Sequence, residues 1–205
     1  MNPDVLRTLG RTDIYLLDQW MRGRLRAPMR ILDAGCGGGR NLDPFLLGGF
    51  EVHGIDADAA AIEKARAHAA ELASSVPAGN FRVARVDDLD PARDGTFDAV
   101  IAIAVLHFAR DRAHFDAQLA ALWSVVRPGG LLFMRLATTI GNEAHLTPLG
   151  GGRFRMGDGT ERFLVGRADL AAATASLGGT LLDPVKTVLV EELRAMTTWV
   201  VGKAV

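Results

Sequence analysis

Cysteine is almost missing from this chain of 205 residues: Cys36 stands alone. A single thiol excludes an internal disulfide and a cysteine-rich metal site. Lysine is scarce beside arginine, no basic block stands out, and the formal net charge is −1 at pH 7. Nothing advertises a nucleic-acid surface. No apolar run approaches the ~20 residues that span a bilayer. The start of the chain lacks the charged-then-apolar layout of a signal peptide. These absences set the expectation of a soluble, cytoplasmic protein with no nucleic-acid or membrane partner. Internal repeats and low-complexity tracts are missing too.

What is present is a regular alternation. With 49% hydrophobic residues, the chain has enough apolar surface for one well-buried domain and too little to require two. Residues 12–25 read as an amphipathic helix, with Ile14, Leu17 and Met21 at helical spacing. "MRILDA" is a short buried strand, "NLDPFLLGGF" a helix with Pro44 tolerated in its first turn, and "EVHGIDA" a second strand. "DAAAIEKARAHAAELA" is a helix with Asp58 as N-cap. "FRVARV" and the fully apolar "FDAVIAIAVL" are strands, residues 111–126 a helix closed by "RPGG", and "LLFMRLA" a fifth strand. Strands apolar on both faces, alternating with helices, predict an α/β fold: a doubly wound, mainly parallel sheet with helices on both faces. At the C-terminus, "TLLDPVKTVLV" and "AMTTWVVGKAV" flank a short "EELR" connection, which predicts an antiparallel pair. Trp199, on the second of these, reads as core.

Residues 138–163 break the pattern. They are glycine-rich, with a turn signal at Asp158-Gly159 between two strand-like runs, and read as a hairpin within a long lid loop. The organisation expected is a single domain over residues 1–205, with residues 1–29 as an N-terminal helical cap.

The stretch "ILDAGCGGGRNLDPF" concentrates the chemistry. A strand ending in glycines and feeding a helix lets backbone approach a ligand and presents unpaired N–H groups to it. It is not a P-loop, because it ends Gly39-Arg40-Asn41 without the lysine and the hydroxyl. It is not a dinucleotide fingerprint either, because Arg40 stands where the third glycine belongs. Asp33, ahead of the loop, would repel a pyrophosphate but would pair with an ammonium group. Asp56, ending the second strand, lies where an acid holds ribose hydroxyls. Asp87, in "RVDDL" after the third strand, could accept from the amine of an adenine. An amino-acid head, a ribose and an adenine together describe S-adenosylmethionine. Cys36 reads as a small loop residue without a redox role. Asp98, at the opening end of its strand, reads as a brace of the sheet.

The ordered motifs "ILDAGCGGGRNL", "GIDAD", "RVDDL", "FDAVIAIAVLHF" and "RPGGLLFM" resemble those of class I S-adenosylmethionine-dependent methyltransferases. The "GRN" ending is similar to the tellurite-resistance-type branch. The resemblance implies a Rossmann-like seven-stranded sheet with an antiparallel last strand. It also implies that Asp33, Gly35 and Gly37 line the methionine end of the cofactor, and that Asp56 holds the ribose. Asp87, with the backbone of Asp88 and Leu89, would contact adenine, while residues 103–106, Ile103 and Ala104 among them, would face the sulfonium. Cys36, Gly39, Asn41 and Ala57 complete the candidate cofactor set.

Methyl transfer from a sulfonium is an in-line displacement in which orientation supplies much of the acceleration, and a base is needed only for an acceptor of high pKa. His107, just past the fourth strand, is the candidate acid–base residue. An Asn/Asp-Pro-Pro-aromatic motif, a cysteine nucleophile beside the methyl and an acidic metal cluster are all missing. A small-molecule methyl acceptor is therefore expected, with Tyr15, Arg40, His145, Arg153 and Arg155 as candidate contacts and Arg162 a further cation of the lid. The arginines of the lid suit an anionic acceptor. A protein that binds the cofactor without catalysis is the alternative. An NAD(P)-dependent oxidoreductase is disfavoured by Arg40 and by the lack of a Tyr-x-x-x-Lys pair. The acceptor atom and the oligomeric state stay open.

Overall fold

The computed structural model describes Leu9 and residues 11–205. Eight strands form the main sheet: seven run in the order β10 (Lys186–Val190), β11 (Arg194–Gly202), β5 (Val126–Thr138), β4 (Phe97–Ile103), β1 (Arg30–Ala34), β2 (Glu51–Asp56), β3 (Phe81–Val83), and β9 (Thr180–Leu181) pairs with β11 off this path. β1 through β5 run parallel to one another, and β11 is antiparallel to β5, β9 and β10. The expected Rossmann-like sheet with its antiparallel C-terminal strand is what the chain forms.

Alternation along each strand divides the core into two layers. Leu32, Val100, Leu132 and Trp199 face one side, where Phe115, Leu119 and Leu122 of α5 (Arg112–Ser124) cover them. Their neighbours Ile31, Ile101, Phe133 and Val200 face the other. There they meet Leu16 of α1 (Ile14–Met21), Phe45 of α2 (Asp43–Leu47) and Ile62 of α3 (Ala59–Leu72). Strands buried on both faces must read as continuous apolar runs, as these do. Two short helices, α4 (Pro91–Asp94) and α6 (Arg167–Ser176), complete the flanks.

The local chemistry accounts for most element ends. The Asp58 side chain accepts from the Ala60 N–H and starts α3; that of Asp111 accepts from the His114 N–H and starts α5. Asp98 braces the sheet as expected: its Oδ2 accepts from the Arg30 N–H at 2.7 Å, and its Oδ1 takes Arg127 Nε. The Trp199 indole donates to Thr174 Oγ1 at 3.0 Å in the buried layer.

Three expectations change. α1 is shorter than predicted and its apolar face differs: Ile14 and Met21 are 71% and 86% exposed, while Leu16 and Gln19 are buried. Gly23, at φ +72°, turns the chain after it. Part of the expected cap, residues 1–8 and 10, lies outside the described residues. "TLLDPVKTVLV" is not one strand; it divides into β9 (Thr180–Leu181) and β10 around Pro184, which has no N–H to donate. Residues 138–163 hold one strand more than the expected hairpin: β6 (Thr147–Gly150), β7 (Arg153–Arg155) and β8 (Glu161–Phe163) make a small antiparallel sheet, with the turn at Asp158-Gly159 between the last two. No helix among the described residues is long and apolar enough to cross a membrane.

Candidate active site

The parallel strands β1, β2 and β4 end together, and the glycine loop turns there. Gly35 and Cys36 both donate to the Ile55 carbonyl, at 2.8 and 2.9 Å. Gly35 has φ +80°, and a Cβ on it would stand 2.4 Å from Val105 Cγ2, so only glycine fits. Gly37, at φ +53°, points its N–H at Asp56 Oδ2, 2.9 Å away. The other Asp56 oxygen accepts from the Asp58 N–H at 2.9 Å. One carboxylate thus sets the loop, and a carboxylate has acceptor capacity beyond these two bonds.

The neighbouring loop residues are used structurally. The Cys36 thiol is buried beside Gly54, and burial first, then the Asp33 and Asp56 charges, push its ionisation up, out of reach of redox chemistry at neutral pH. Gly39 packs against His68 and Ala65 of α3. Asn41 is not aimed at the loop: its Oδ1 accepts from the Asp13 N–H at 3.1 Å and anchors the start of α1.

Asp33 is the anomaly of β1. It is 1% exposed, and its Oδ2 has no hydrogen-bond partner. Burial raises its pKa to about 7, Arg40 opposing and Asp56 assisting. A buried acid with an idle oxygen beside a glycine loop fits a ligand that brings an ammonium group.

Asp56, Ala57, Asp87 and Ala104 line one cavity of ≈ 350 Å³ with Gln118 and Val105. Asp87 is not at the end of β3, which stops at Val83; it sits on the helical turn Val86–Asp88 and still faces the cavity. Its carboxylate is held by Arg85 in a two-pronged pair of 3.0 and 3.1 Å, which keeps its pKa below the usual range. Asp88 and Leu89 lie apart from this cavity. Their N–H groups already donate to the Arg85 and Val86 carbonyls; Asp88 is exposed, and Leu89 is in the core. The sequence reading missed Gln118, whose buried Oε1 has no partner and so offers an acceptor to an exocyclic amine. Only its helical spacing from His114, also on this wall, hints at it.

Ile103 is buried at the end of β4. Ala104 follows at φ +59°, a strained position for a residue with a side chain, held by donating its N–H to the Arg135 carbonyl at 2.8 Å. Ala104 also lines a second cavity, of ≈ 340 Å³, whose walls include Arg40, His107, Arg162 and Arg194. His107 accepts the Ala137 N–H on Nδ1 at 3.0 Å. Its proton therefore sits on Nε2. Burial, then the Arg162 charge, hold its pKa down to about 4. In this state the ring offers its Nε2 proton as a donor.

The cations of residues 138–163 part company. Arg153 and Arg155 both turn to Glu161, at 3.8 and 3.0 Å, and His145 faces Glu192 at 3.5 Å; none of the three lines either cavity. Register is the reason. Arg162 opposes Phe154, so it lies on the sheet face opposite to Arg153 and Arg155. Tyr15 does not line the second cavity; its ring stacks under Arg135, 5.3 Å from the guanidinium carbon. Arg135 in turn pairs with Asp13 at 2.8 Å. No group of three or more His, Cys, Asp or Glu among the described residues could hold a metal.

A family model described as a methyltransferase domain matches residues 32–134. The ubiquinone biosynthesis O-methyltransferase of Mesorhizobium japonicum is 39% identical over 106 residues, 52% of this chain and 40% of that protein. The chain thus spans about two fifths of the length of the curated relatives it matches. Among solved structures, magnesium protoporphyrin IX methyltransferase from Synechocystis PCC 6803, with bound SAH, superposes with a TM-score of 0.72 at 20% identity, covering 94% of this chain and 81% of that one. The cyclase SpnF has a TM-score of 0.71 at 18% identity, covering 93% and 81%. At such identities the two structures speak for the fold alone.

Proposed function

We infer that this chain, which belongs to the methyltransferase domain family, transfers a methyl group from S-adenosylmethionine to a small-molecule acceptor. The observation that carries the reading is Ala104, the residue shared by the two cavities. One cavity holds Asp56 and Gln118, two of the groups suited to the cofactor, and the other opens beside it, at the carboxyl ends of the strands where ligands of open α/β sheets gather. A protein that only bound the cofactor would not need the second.

The residues present fit the cofactor. Asp33 would meet its ammonium group, Asp56 the ribose hydroxyls, and Gln118 the adenine amine, each through an oxygen with spare acceptor capacity. Bound there, S-adenosylmethionine would supply a methyl carbon activated by its sulfonium for displacement by an acceptor's lone pair, with thioether sulfur as the leaving group. The chain's own work is alignment. The Gly35 turn keeps backbone close to the ligand, the Ala104 kink fixes the junction, and Arg162 of the small sheet reaches the wall of the second cavity. Neutral His107 offers a hydrogen bond to an acceptor heteroatom.

The test is turnover. Incubation with methyl-labelled S-adenosylmethionine and a panel of small acceptors bearing oxygen, nitrogen, sulfur and carbon nucleophiles should release S-adenosylhomocysteine and leave the label on an acceptor. Tight cofactor binding without label transfer to any class would favour the binding protein instead.

A further inference from the structure

We propose that the acceptor carries an oxyanion, a carboxylate or a phosphate, on a partly apolar body, and that Arg40, Arg162 and Arg194 seat it. This rests on the function proposed above and narrows its acceptor. Arg40 comes from the loop after β1, Arg162 from β8 and Arg194 from the start of β11, so three segments distant in sequence deliver cations to one small cavity. A fourth, Arg135, shares the wall but is answered by Asp13.

The other three have no carboxylate partner among the described residues. Arg162 donates to the Glu161 carbonyl at 2.7 Å and lies over the Phe108 ring, 4.6 Å from its centroid. Asp158 is the acid of the wall, and its Oδ1 is taken by the Thr160 N–H at 2.9 Å and hydroxyl at 2.6 Å. Its pKa is lowered by Thr160 first and by the Arg162 and Arg194 charges after it, so the field of those arginines reaches the cavity. Four arginines against Asp158 and Asp13 leave an excess of two positive charges, with His107 neutral.

Like charges gathered without counter-ions repel. A ligand oxyanion answers them, and guanidinium forks suit carboxylate and phosphate geometry. Met156, Met196 and Val190 supply the apolar remainder of the wall. A group seated on these arginines leaves the far end of a small acceptor toward Ala104 and His107, where the cofactor cavity opens.

The experiment is saturation-transfer NMR on the protein saturated with S-adenosylhomocysteine, whose own binding is measured first by calorimetry. The probes are matched pairs: benzoate with benzamide, indole-3-acetate with indole-3-acetamide, and phenyl phosphate with phenol. The charged member should bind about fivefold tighter or better at low salt, the scale of one or two exposed ion contacts. The preference should shrink at high salt. The relative gain of phenyl phosphate and of the carboxylates tells which oxyanion is preferred. The double variant Arg162→Ala/Arg194→Ala should lose the preference while keeping its S-adenosylhomocysteine affinity, and Arg155→Ala, outside the cavity, should keep both. Equal or undetectable binding of the charged and neutral members, or a preference that survives the double variant, overturns the proposal and leaves the methyltransferase reading standing. Failure of the wild type to bind S-adenosylhomocysteine overturns both.

Discussion

The Ala137 N–H donates to His107 Nδ1 across 3.0 Å and so ties β5 to the turn after β4 at the edge of the second cavity. The bond fixes the tautomer, and burial keeps the ring neutral, with its pKa at about 4 against an ordinary 6.5. The unfolded chain therefore binds a proton that the folded one refuses. Stability contributed by this site is full above pH 6.5 and is lost as pH falls toward 4. His107→Asn keeps an acceptor for the Ala137 N–H, whereas His107→Leu orphans it at a cost of about 1–3 kcal/mol. Thermal melts should rank Leu below Asn, and the variants should flatten the fall of stability across this pH window. Equal melts of the two variants would remove the hydrogen bond from the account.

Asp33 runs the other way. Protonated in the free protein below about pH 7, it must ionise to pair with an ammonium group. Cofactor binding should then release a proton at pH 6, and affinity should rise with pH up to about 7 and level off. Calorimetry in buffers of different ionisation heat counts the proton. Asp33→Asn should abolish both the release and the pH dependence.

Gly35 and Gly37 separate two effects of a glycine. Both have positive φ, but a Cβ meets nothing within 4 Å at Gly37 and stands 2.4 Å from Val105 at Gly35. Gly37→Ala should cost about 1–2 kcal/mol for the left-handed backbone. Gly35→Ala should cost about 2 kcal/mol more, for the overlap. Val105→Ala should recover part of the second loss and none of the first, which a denaturant titration of the four proteins would show.

Asp13 holds the entrance of α1 three ways. Its N–H donates to Asn41, one oxygen caps the Tyr15 N–H at 2.9 Å, and the other takes Arg135. Asp13→Ala loses cap and ion pair together, on the order of 2–4 kcal/mol. Asp13→Asn keeps the cap alone and should fall between. An alanine variant as stable as the wild type would detach α1 from the site.

Much of this was legible in the sequence because the signals were local. Apolar runs set the strands, Asp58 announced its helix, and "FD" placed Asp98 at the base of β4. The glycine loop was readable because steric demands at Gly35 belong to the residue itself. The unread part depended on partners. Register alone puts Arg162 on one face of the small sheet and Arg153 and Arg155 on the other, and a pattern of arginines does not reveal register. The position of Asp87 does not reveal Arg85, two residues earlier, as the cation that occupies it. Gln118 and Arg194 come from segments that look structural until the fold brings them to the cavities. Helical spacing does not reveal the buried face of α1: Ile14 and Met21, apolar at that spacing, face outward while Gln19 turns in to Asp183, 3.0 Å away.

The claim on which the rest stands is that the cavity beside the glycine loop seats S-adenosylmethionine through Asp56. Calorimetric titration of the wild type and of Asp56→Ala with S-adenosylhomocysteine tests it most directly. One site per chain is predicted, weakened about tenfold or more by the substitution, as the loss of a charge-assisted hydrogen bond requires. An absence of binding to the wild type, or equal affinities of the two proteins, would contradict it.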